Sequence, residues 1–164
     1  MSQFINVSTE DKQARALLQR VSAFGDNQSK PMKIVALGME QRVRQAFRDE
    51  SDPWGSAWPV HSPVTLAERR RRGQTSVQKL IDTGKLYASI ERNSDSTSAT
   101  VSASEWAEVH QFGNPSNRAW GRSIAPIPAR PSFPIRQGGN VDLTDDWVSA
   151  ITAPLESELQ KVVK

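Results

Sequence analysis

The chain has 164 residues, with 21 Lys and Arg against 18 Asp and Glu, two histidines and no cysteine. That length fits one domain, residues 1–164, able to bury a core without staples, and the missing thiols exclude a disulfide framework and a thiolate metal site. The longest clean apolar run, Ile34–Leu37, is far short of the roughly 20 residues of a spanning helix, and the N-terminus lacks a basic-then-apolar leader pattern. A soluble protein made in a cytoplasm is expected, without membrane partner, metal or cofactor.

The mild net charge of +3 is unevenly distributed. Glu68–Lys85 sets six basic residues against Glu68 and Asp82, a local +4, and Phe112–Val141 holds four arginines and no acid. Asp142–Lys164 runs the other way, with five acids against two lysines. Opposite patches on one chain favour an anionic partner or a second copy, because complementary fields orient encounters.

Ser8-Thr9-Glu10-Asp11 precedes apolar residues at helical spacing and predicts a helix from about Thr9 to Phe24. Pro31 opens a second helix to about Arg48, with Ile34, Val35, Leu37, Gly38, Met39, Val43, Ala46 and Phe47 on its inner face. Residues 1–48 thus read as an antiparallel helical pair. Asp49–Ser62 carries Pro53, Gly55, Pro59, Trp54 and Trp58, a loop with aromatic anchors that are either buried in the subunit or offered to a partner. Ser62-Pro63 reads as an N-cap with proline in the first turn, starting a short basic helix through Arg69–Arg72 that Gly73 stops.

Leu86–Arg92 and Thr97–Ser102 read as a hairpin around an Asn93–Ser96 turn. Ser104 caps a short helix through Gln111, closed by Gly113, and the prolines of Ile124–Phe133 and neighbouring Pro134 restrict that stretch to an extended edge or polyproline-like arm. Residues 49–136 form the motif-bearing middle of the chain. In 141–164, Thr144-Asp145-Asp146 caps a last helix with Trp147, Ile151, Leu155 and Leu159 four apart, which Pro154 should kink near Ala150 or divide. The fold class is α+β: an N-terminal helical pair, a short basic helix, a small antiparallel sheet with a proline-rich extended arm, and a C-terminal helix.

Chemistry is thinly represented. Asp82-Thr83-Gly84 after Leu80-Ile81 matches the triplet of aspartic proteases, but Lys85 follows it and no partner motif supplies a second carboxyl. The plainer reading is a turn capped by Asp82 or Thr83 before Leu86. His61 and His110 lack the i, i+4 spacing of a helical metal pair. Arg69, Arg70, Arg71 and Arg72 point around the whole helix, so sequence-specific groove reading is disfavoured; a solvated helix end and non-specific phosphate contact both stay open.

FRDESDPWGSAWPVHSPVTLAERRRRG, then LIDTGKLYASI, EVHQFG and IPARPSFPI, in that order over Val43–Ile135, resembles the virion morphogenesis (tail completion) family of tailed bacteriophages, particularly its Mu-like branch. The resemblance implies a small structural protein without catalysis that helps finish head or tail so that the two join. It places hallmark positions at Trp54, Gly55, Trp58 and Pro59, at Ser62, Pro63 and Leu66, and at Asp82, Thr83, Gly84 and Leu86. Further hallmarks fall at His110, Phe112 and Gly113, and at Pro128, Arg130, Pro131 and Phe133. The chain departs from that pattern at Ser132, at Pro134 and in an insertion-like Asn114–Arg122 with Trp120, which leaves the arm's conformation open.

The implied role is in the neck or tail of the virion, reached from the host cytoplasm during assembly. Other head, neck or tail proteins are its implied partners, and charge placement and composition add copies of itself in a ring and packaged DNA touched without sequence reading. The alternatives are a non-specific DNA-binding accessory protein using Arg69–Arg72 and an aspartic-type peptidase at Asp82.

Overall fold

The computed structural model describes residues 25, 29–115 and 126–162. The expected first helix, its pairing with the second, and most of the insertion-like stretch with Trp120 lie outside the described residues. Among those described, the order is α1 (Ser29–Asp49), α2 (Pro63–Arg71), α3 (Lys85–Ala88), β1 (Glu91–Ser94), β2 (Ala99–Ser102), α4 (Trp106–Phe112) and α5 (Asp145–Val162). The architecture is α+β, as expected.

α1 is the central beam. Met32, Val35, Ala36, Val43, Ala46 and Phe47 recur at helical spacing and are buried, and this stripe packs against α5 on one side and the hairpin on the other. Leu37, expected on the inner face, is 40% exposed instead. At 100° per residue it falls on the outer side with Lys33 and Gln41. Phe47 meets Trp58 and Tyr87 edge-on, with ring centroids 5.5 and 5.4 Å apart, so the end of α1 joins the loop and α3 in one apolar cluster. Buried Glu40 ties α1 to the sheet by bonding Arg44 and Arg92, and Arg44 also donates to the carbonyls of Tyr87 and Ile90. Burial pushes the Glu40 carboxyl up, but the two arginines outweigh it and hold it below its ordinary value.

The hairpin is present in shifted form. β1 pairs antiparallel with β2, Glu91 opposite Ser102 and Ser94 opposite Ala99. Its turn is built on Asp95, whose carboxylate accepts from the backbone and hydroxyl groups of Thr97 and Ser98, holding its pKa down to about 2. Leu86–Ala88, expected as strand, is instead part of the helical turn α3. Gly84 starts that turn with φ 76°, a conformation glycine adopts freely, and no side-chain cap from Asp82 or Thr83 is used. Ser104 likewise contributes its carbonyl, bonded to the Ala107 N–H, and not a hydroxyl cap to α4.

α5 begins as expected, with the Thr144 hydroxyl accepting from Trp147 N–H, and buries Trp147, Ile151 and Leu155. Pro154 does not divide it; the helix runs unbroken over Asp145–Val162. The proline removes the donor that the Ala150 carbonyl would otherwise receive, and that carbonyl faces Gly38 of α1. A Cβ at Gly38 would lie 2.7 Å from the Ala150 oxygen, so α1 reaches the interrupted turn only because residue 38 has no side chain. Gly38→Ala should therefore destabilise the fold by about 1–3 kcal/mol despite alanine's better helix propensity. Urea denaturation checks this; an unchanged or raised midpoint contradicts it.

Candidate functional site: a clasped arm beside a basic-floored groove

The tryptophan loop is organised by Asp52, whose carboxylate accepts from Trp54 and Ser56 N–H, while Ser51 bridges Ala57. Gly55 turns the chain at φ 92°, and Glu50 takes φ 52° while its carbonyl accepts from Trp58 N–H. The ring of Trp58 is 3% exposed and its indole N–H donates to the Pro131 carbonyl at 2.8 Å. Trp54 is half-buried; its indole N–H donates to Asp142, and the Arg136 guanidinium stacks 3.5 Å above its ring. Both anchors thus have partners inside the subunit.

Proline removes backbone donors but leaves every carbonyl in need of one. In the arm, residues 126–135, side chains and backbone groups from elsewhere supply several of them. Gln111 of α4 is 2% exposed and bonds the arm four times. Its amide nitrogen donates to the Phe133 and Ile135 carbonyls at 2.8 and 2.9 Å, and its oxygen accepts from Ser132 and Phe133 N–H. Arg130 runs the other way: its N–H donates to the His110 carbonyl, and its buried guanidinium donates to Pro59 and Val60 of the tryptophan loop. Asn114 and Ile127 exchange two backbone bonds, and Gly113, at φ 73°, approaches so closely that a Cβ would sit 2.8 Å from Ala129 N and Ile127 O. Phe133 and Ile135 then enter the core, while Phe112 is half-buried against it.

α2 follows its expected start: the Ser62 hydroxyl accepts from Thr65 N–H at 3.1 Å with Pro63 behind it, and Leu66 is half-buried. The arginines diverge. Arg69, expected with its neighbours as a phosphate contact, turns inward, 5% exposed. It donates to the Ser76 and Gln78 carbonyls and lies 3.7 Å from Asp82. Arg71 pairs with Glu68 and Arg72 with Asp82, at 2.8 and 3.0 Å, and Arg70 is exposed. The helical sweep of 100° per residue forces this split, so the accessible run is Arg70–Arg72.

These pieces border one groove of about 1170 Å³, walled by the start of α2, the turn at Asp82–Leu86, Trp106, His110 and the arm at Pro126–Pro128, with Arg69 and Arg130 in its lining. Val60, Val64 and Trp106 line it as exposed apolar side chains. His110 is held to about 4, first by burial and then by the nearby Arg130 charge. Among the described residues, Asp82 is the only carboxylate lining the groove, and it faces guanidinium groups. Among the described residues no group of three or more His, Asp and Glu is placed to hold a metal ion, and no helix is long and apolar enough to cross a membrane.

The expected hallmark segments are therefore neighbours in space: the tryptophan loop, the HQFG turn and the PARP arm hold one another, and the start of α2 and the DTG turn complete the groove. A family model of phage virion morphogenesis proteins matches residues 9–151. The chain belongs to the phage virion morphogenesis family. No curated protein and no solved structure matched it. Membership marks a structural role in virion assembly, and the matched residues include every hallmark segment named above.

Gln111 escaped sequence reasoning although it stands inside the EVHQFG string. A signal was available: an arm of several prolines lacks its own donors, and a glutamine beside the turn that abuts it offers two amide donors and a carbonyl acceptor on one neutral side chain.

Proposed function

We propose that this family member is a tail-completion or head–tail joining component of a tailed phage or prophage, of the Mu-like kind, acting in the neck as a ring of identical copies. The observation that supports it is the clasp: the residues carrying the family resemblance join loop, turn and arm into one body through hydrogen bonds and packing. Asp82, the candidate catalytic group, is engaged by Arg72 and Arg69. A carboxyl dyad needs a second carboxyl sharing its proton, and cations stand in that place. The uneven charge suits a contact between unlike surfaces of identical subunits, which closes into a ring when the rotation permits.

Electron microscopy of particles assembled without this gene tests the reading. Full heads separated from finished tails are expected; intact infectious virions contradict it. The second reading, non-specific DNA contact, draws on exposed Arg70 and on Arg71 and Arg72, whose carboxylate partners reduce their free charge. A steep fall of DNA affinity with salt, flattened by replacing the three with glutamine, favours it.

A further inference from the structure

The groove combines an exposed apolar rim with an excess of positive charge in its lining. Its rim exposes Val64 and Trp106, at 75% and 49% relative exposure. Large exposed apolar groups clustered around a concavity mark contact surfaces. Among the described residues its lining sets Arg69, Arg130 and Lys85 against one carboxylate, Asp82, which Arg72 also engages. Arg130 bonds carbonyls, which satisfy its N–H groups without cancelling its charge. Burial and the adjacent Arg69 both act against the charged form of Arg130, and the same guanidinium groups hold His61 below its ordinary value, after burial.

The complementary surface is on the same chain. The first turn of α5 exposes Asp145 and Asp146, the latter with only a long 3.9 Å approach to Arg42, and Glu156 is exposed further along. No residue of α5 lines the groove, so the helix does not neutralise it within the subunit.

We propose that the groove is the acceptor half of a head-to-tail contact between copies of this chain, occupied by the acidic start of α5 from a second copy. This rests on the assembly reading above and names the surfaces that reading leaves open. The asymmetry matters: each copy offers one acceptor and one donor, so the contact propagates from copy to copy. Arg69 and Arg130 act through their charge, since their N–H groups already serve carbonyls, and the exposed Lys85 ammonium is the group placed to pair with an incoming carboxylate.

The absence of native cysteine makes the test clean. Val64→Cys and Ser149→Cys, the latter exposed on α5 and leaving its acidic turn intact, are prepared separately in the full chain, checked for unchanged circular dichroism and melting, mixed and treated with a short bismaleimide. A mixed dimer with no product from either variant alone is expected. In sedimentation, Lys85→Glu and Asp146→Lys should each weaken association about tenfold, and the double variant should restore it. Val64→Cys linking to itself would mean a two-fold face and overturn the proposal. So would a chain that stays monomeric, or assembly indifferent to both charge reversals. In that last case the gene-deletion phenotype still decides the assembly reading on its own, so the two failures are distinguishable. A groove that instead takes DNA, shown by DNA blocking modification of Val64→Cys, also overturns it.

Discussion

Replacing Gln111 by leucine should lower the unfolding free energy by about 3–5 kcal/mol, because it strands four backbone groups of the arm at once and each buried orphan costs about 1–3 kcal/mol. Simple addition overstates the loss, since the arm can relax toward water. Leucine keeps approximate bulk, so a cavity is not the cause. Gln111→Glu separates the two halves of the clasp: a carboxylate still accepts from Ser132 and Phe133 N–H but cannot donate to the Phe133 and Ile135 carbonyls. Urea denaturation gives the energy, and amide exchange at Ser132 and Phe133 gives the location. Exchange should accelerate in the leucine variant before global unfolding. A loss below about 1 kcal/mol would show that the four bonds are not a unit.

Acid should weaken the fold well above the carboxylate range. His110 is held to about 4 against an ordinary 6.5, so the unfolded chain takes up a proton that the folded one refuses. The stability it contributes is fully present above pH 6.5 and is lost as pH falls toward 4. The total reaches on the order of 3 kcal/mol. His61, also lowered, adds in the same direction. Denaturation series between pH 7 and pH 5 should show this slope, and His110→Asn should remove most of it while His61→Asn removes less. A flat profile in the native chain, or a His110 resonance titrating near 6.5, contradicts the assignment.

Local chemistry made several elements legible. Ser62-Pro63 announced α2 because capping and proline geometry are short-range, and the stripe of α1 was readable because helical period and burial agree. Leu37 shows the limit: apolar identity says little about face when a helix has apolar residues on more than one side. The hairpin is present with its turn two residues later and its first strand starting at Glu91, since Asn93, Ser94, Asp95 and Ser96 are all turn formers and only the bonds made by Asp95 choose among them. Pro154 was readable as a disturbance, but its accommodation depends on Gly38, distant in sequence. The same holds for the arginine run, where Arg69 finds its carbonyl partners seven and nine residues on. Of the site, the tryptophans, Gly113 and Arg130 stood out by residue type, whereas their mutual contacts, and the groove they leave, arise only from the chain's return at residues 126–135.

The grip of Gln111 on the arm has an implication for which changes the protein can absorb. Its four hydrogen bonds go to peptide groups, so they sense the path of the chain and are blind to most of its spelling. Ser132 and Pro134, the points at which the arm departs from the expected pattern, fit this: the peptide nitrogen of residue 132 is what Gln111 holds, and the oxygen of Pro134 serves Asp142 N–H without needing a nitrogen of its own. Saturation mutagenesis should consequently give lopsided tolerance, permissive at residue 132 for side chains that fit its buried position and nearly closed at 111, with the burden of keeping the two registered carried by one side of the pairing.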